Sequence, residues 1–129
     1  MYAKFREAVL KAEVNWLTDT IRVAAIDTDD YTVNLNTHQY LGDIPSGAIV
    51  GISVNLADKS VTNGYAKAGT ATLPAVTGDE FEAVVVFQHT GSSATSRLIA
   101  YVTSDMYESV TPNGSDALVI WHPNGIFRL

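Results

Sequence analysis

The stretch EFEAVVVFQHTGSSATSRLIAYVTS, residues 80–104, decides the fold class. Phe81, Ala83, Val85 and Phe87 fall on one face of an extended chain, and Val84 and Val86 make the other face apolar too. A strand apolar on both faces sits between two covering layers. Gly91 to Ser96 read as a polar loop, and Arg97 to Ser104 as the next strand.

Outward from this pair the grammar stays β. Ile21, Val23 and Ala25 alternate in IRVAAID (21–27), and AIVGISVNL (48–56) reads as a strand, with ADKS (57–60) as a turn. VTNGYAKAGTATL (61–73) reads as a broken, glycine-punctuated strand pair. A long polar connection runs from Asp27 to Ser46, with a short strand expected at Tyr31 to Leu35. DMYESVTPNGSD (105–116) reads as a connection, and the chain is expected to close on a hairpin of Ala117–Trp121 and Ile126–Leu129 about the turn His122–Gly125. Strand signals at roughly ten-residue spacing, with no second helical pattern for crossovers, predict an antiparallel β-sandwich.

The exception is AKFREAVLKAEVNWL (3–17). Phe5, Val9 and Ala12 share a helical face, flanked by Ala8, Leu10 and Trp16. The expected organisation is one mainly-β domain over residues 1–129, with a short amphipathic helix over 1–17 and strands over 20–129.

The net charge of −6, with only 8 Lys and Arg, argues against a nucleic-acid partner. Lys4, Arg6 and Lys11 gather on the helix; they read as a solvated face or as a docking face for an acidic neighbour. The absence of cysteine removes disulfides and thiolate chemistry. Neither a signal peptide nor a membrane span is expected, which predicts a soluble chain.

Few residues offer chemistry. His38, His89 and His122 show no metal-ligand spacing, and hydrogen-bonded surface histidines are the ordinary account. Asp27, Asp29, Asp30 and Asn34 form an oxygen-rich segment of the kind calcium prefers, but the glycine and distal glutamate of an EF-hand loop are missing; an acidic turn is the simpler reading. Asp79, Glu80 and Glu82 read as a solvated strand edge rather than an acid/base pair. A set such as His89, Asp105 and Ser96 has no spacing to support it, so no catalytic residue, metal or cofactor is expected. Trp16, Trp121, Tyr31, Tyr40, Tyr65 and Tyr101 suit either packing or an interface.

Taken together, TDTIRVAAID (18–27), DYTVNLNTHQYL (30–41), NGYAKAGTATL (63–73), FEAVVVFQHTGSSATSRLIAYVTS (81–104) and NGSDALVIWHPNGIFRL (113–129) resemble phrases of small virion proteins of tailed bacteriophages. The likeness spans nearly the whole chain, with Ala68 where a glycine often stands in that group. The resemblance implies a non-enzymatic structural protein of the virion, first of all a capsid decoration (cement) protein. It would bind the major capsid protein or other virion proteins and associate as a homo-oligomer, with no nucleic acid or membrane as partner. Lys4, Arg6 and Lys11, then Tyr31, Tyr40 and Tyr65, are the expected contacts. A tail or neck component is the alternative within virions, and a carbohydrate- or ligand-binding sandwich is the alternative of another class.

Overall fold

The computed structural model describes residues 1–74, 81–103, 107–109 and 116–129, with backbone alone at 108 and 109. The fold is mainly β, built from antiparallel sheets in a sandwich-like arrangement with one short N-terminal helix. After helix α1 (Ala3–Leu10) come β1 (Ile21–Ile26), β2 (Ile49–Ile52), β3 (Ser60–Thr62), β4 (Tyr65–Lys67), β5 (Ala71–Leu73), β6 (Ala83–Gln88), β7 (Arg97–Thr103), β8 (Tyr107–Ser109), β9 (Ala117–Trp121) and β10 (Phe127–Arg128).

The largest sheet has the order β2-β1-β6-β7, so the strand that is apolar on both faces lies inside it. Val85 stands between Ala24 and Tyr101 in register. Ala83 through Phe87 are all buried, as double-sided covering requires. Each fully buried valine contributes about 1.5–3 kcal/mol relative to exposure.

The expected loop from Asp27 to Ser46 is an ordered layer. Tyr31, Leu41, Ile44 and Ala48 are buried in the common core. Tyr31 to Leu35 do not form the expected strand. Instead, Asn34 accepts the amides of Asn36 and Thr37 on its side chain, and such local bonds compete with a sheet ladder. The connection then passes beside β7, where Leu41 N–H donates to Ser96 and Leu98 N–H to Gln39, covering part of that edge. On the opposite edge, Ser53 and Leu56 continue along β1, and Val54 N–H donates to Thr72 on β5, linking two sheets.

Two further sheets have the orders β5-β9-β8 and β10-β4-β3. Asn63 and Gly64 both take positive φ, 52° and 80°, and close the expected β3–β4 hairpin. The expected terminal hairpin is absent. β9 pairs with β5 and β8, whereas β10 pairs with β4, so the two strands belong to different sheets. The turn from His122 to Gly125 therefore crosses between sheets. Gly125 has φ +133°, and a Cβ there would lie 3.0 Å from the Ala66 carbonyl oxygen, a close approach open only to glycine. The adjoining Ile126 N–H donates to that same carbonyl at 2.7 Å.

The helix is also shorter than its hydrophobic pattern. It ends at Leu10, and Ala12 turns left-handed with φ 58°. Ala12 N–H then bonds Val9 and Glu13 N–H bonds Ala8, satisfying the terminal carbonyls. Beyond it, Asn15 holds the amides of Leu17 and Thr18, and Asp19 holds that of Asn15. Trp16 leaves the helical face altogether, its indole N–H donating to the Lys67 carbonyl at 3.1 Å. Trp121 does the same to the Gly69 carbonyl, also at 3.1 Å. Two tryptophans far apart in sequence thus hold one short segment.

Candidate functional site

Arg6 on α1 and Lys11 at its C-cap are both exposed, while Lys4 is paired with Glu7 at 3.3 Å. Inward, Phe5 and Ala8 are buried. Between these faces runs an apolar groove of about 120 Å³, lined by Phe5, Val9, Val14, Trp16, Val61 and Leu129 among others. Its rim is open: Val61 is 53% and Leu129 62% exposed, and Leu10 on the same helix is 89% exposed. β3, with all three residues exposed, is an edge strand beside it.

The three tyrosines do not form a surface. Tyr31 is only 5% exposed, so little of the expected contact residue is open to a partner. Its hydroxyl lies 2.9 Å from that of Tyr2 and 2.8 Å from His38 Nδ1. The Asn34 amide also donates to Nδ1, at 3.3 Å, so this nitrogen is an acceptor. Tyr31 then donates to His38 and accepts from Tyr2. Burial holds the Tyr31 hydroxyl above the ordinary phenol range. Tyr40 and Tyr65 are half-buried beneath arginines, with Arg97 5.9 Å and Arg128 5.3 Å from the ring centroids. They lie on separate elements, Tyr40 beside β7 and Tyr65 in β4.

Of the acidic segment, Asp27 and Asp29 come together with Glu82 rather than with Asp30, their oxygens within 4.8 Å of one another. Local donors reach this group: Asp29 N–H bonds Asp27, and Thr28 Oγ1 lies 3.4 Å from Glu82. Asp79, Glu80 and Asp105 lie outside the described residues. Nearby, Tyr107 buries a hydroxyl that has no hydrogen-bond partner among the described residues, and burial together with the Glu82 charge pushes it far above the phenol range.

No protein-family model matches the chain, and no curated protein does.

The histidines divide three ways. His38 ends the tyrosine chain; His122 is exposed and accepts the Asn124 amide. His89 lines a cavity of about 190 Å³ with Arg22, Leu41, Ile52, Phe87 and serines of the 91–96 loop. Ser96 is there as well, but its hydroxyl receives the Thr90 amide and is 1% exposed, so it is fixed as a loop support. Arg22 reads in sequence as a polar position of an alternating strand, and nothing local announces its neighbours. The loop is brought to it by strand pairing, with Arg22 opposite Phe87.

Arg6, Lys11 and the apolar groove can therefore support docking of a protein surface, while the Arg22–His89 cavity offers donors to a small group.

Proposed function

We propose that this chain is a non-enzymatic structural protein of a tailed-phage virion, a capsid decoration protein that docks on the head and stabilises it. The observation that carries the reading is the open apolar groove beside α1, rimmed by Val61 and Leu129, with Leu10, Arg6 and Lys11 exposed on the adjoining helical segment. A chain of net charge −6 that leaves large apolar groups exposed, with two cations that have no ion-pair partner among the described residues, suits a partner surface that is apolar at its centre and acidic at its rim. Support for the virion comes from the phrase resemblance along the chain. Many copies on one lattice would add individually weak contacts into a large total. Lys4 takes a lesser part, because Glu7 already pairs with it.

The test is co-sedimentation with phage heads that lack the protein, followed by heat-release of DNA. Saturable binding that raises the rupture temperature is the expected result. Leu10→Asp and Val61→Asp should abolish binding while changing the stability of the free protein by only about 0.5 kcal/mol. Ring formation or association with tails, without head binding, moves the assignment to the neck or tail. Binding that survives both substitutions places the docking face elsewhere.

A further inference from the structure

The cavity between β1 and the 89–96 loop has a chemistry that the docking reading leaves unused. Its lining joins apolar Phe87, Leu41 and Ile52 to polar Arg22, His89 and Ser93. Arg22 Nε donates to the neutral Asn55 side chain at 2.8 Å. Among the described residues no carboxylate pairs with Arg22, although the other partly buried arginine, Arg97, meets Glu13 at 3.2 Å. Carboxylates outnumber Lys and Arg in this chain, 14 to 8, so a half-buried arginine without one stands out.

The described groups around His89 carry no compensating charge. Arg22 faces it from β1, and its own loop brings only hydroxyls. Two residues on from Leu41, Asp43 is committed to the backbone amides of Gln39 and Tyr40. Burial and the Arg22 charge hold the imidazole below the ordinary histidine range. Ser92 and Ser93 are both exposed, and Gly91, with φ +96°, turns the loop that carries them. A cavity of 190 Å³ is smaller than the roughly 300–1,000 Å³ of drug-sized ligand sites, which suits a single small group.

We propose that this cavity binds a small oxyanion, a carboxylate or a phosphate group, through the terminal nitrogens of Arg22, the His89 ring and the Ser93 hydroxyl. A guanidinium presents paired donors to either group, and charge-assisted bonds of this kind are about twice as strong as neutral ones. The inference stands independently of head docking.

The test is an NMR titration of the whole chain with inorganic phosphate and, separately, with acetate, following the His89 imidazole signals. Saturable shifts are expected, with the His89 titration midpoint moving upward because a bound anion favours the imidazolium. Affinity should rise as pH falls through that midpoint. Arg22→Gln should weaken binding by about tenfold or more, and Ser93→Ala by a smaller factor. If Arg22→Gln fails to fold, Arg22→Lys, which keeps the charge and loses the fork, serves in its place and should also weaken binding. Acetate binding as tightly as phosphate identifies an acidic side chain of a protein as the source; preference for phosphate identifies a phosphate group. The absence of saturable shifts with both ions, or equal binding by the Arg22 and Ser93 variants, overturns the proposal.

Discussion

Removing one oxygen from Tyr31 strands another on Tyr2. The Tyr2 hydroxyl, on a side chain with no exposure, has Tyr31 as its partner, and the Tyr31 hydroxyl donates its own hydrogen bond to His38. Tyr31→Phe should therefore cost about 1–3 kcal/mol, the penalty of an unpaired buried hydroxyl. Adding Tyr2→Phe should cost less than its effect alone, and a double-mutant cycle by urea unfolding reads the difference. Asp43 gives a second test at this scale. The amides of Tyr40 and Gln39 hold its carboxyl below the usual range. A depressed carboxyl stabilises the folded state at pH above its unfolded value and loses that effect as pH falls through the folded one. Between about pH 6 and about pH 3, the urea midpoint of the native chain should fall more than that of Asp43→Asn. Little of this was legible beforehand. Tyr31 in a polar run reads as a surface aromatic, and only the long connection folding over Tyr101 buries it. The Asp27 segment was visible as oxygen-rich, but its third carboxylate, Glu82, comes from a residue far along the chain.

At the scale of elements, local chemistry and periodicity differ in what they report. Period-2 alternation located β1, apolar residues on both faces located β6, and the apolar runs between turn signals located β2 and β7. The Asn63-Gly64 turn was legible because two positive φ angles are a local demand. The helix end was not. Apolar spacing continues to Trp16, while Asn15 and Asp19 bind nearby amides and draw the chain into turns. Ala12, which occupies the left-handed position that glycine prefers, carries a strain of about 1–2 kcal/mol. Ala12→Gly should consequently stabilise the protein, by about 0.5–1 kcal/mol after the glycine's extra chain entropy, visible as a higher Tm.

For the whole molecule, pairing between sheets is set by contacts that no short window contains. Asn124-Gly125 carries the same hairpin signal as Asn63-Gly64, yet Gly125 lies against Tyr65 and Ala66 and delivers β10 to β4. Gly125→Ala should cost on the order of 2–3 kcal/mol, since both its φ of +133° and its contact with the Ala66 carbonyl exclude a side chain. Thermal unfolding checks this, and the near-UV signal of the tryptophans should change with it. The bonds from Trp16 to Lys67 and from Trp121 to Gly69 span 51 and 52 residues. Closing such distances costs chain entropy before any contact compensates for it, and folding slows accordingly. The segment from Lys67 to Gly69 waits for strands of chain arriving from opposite directions. It should gain hydrogen-exchange protection late and in one step, and a fragment missing either tryptophan should never acquire it.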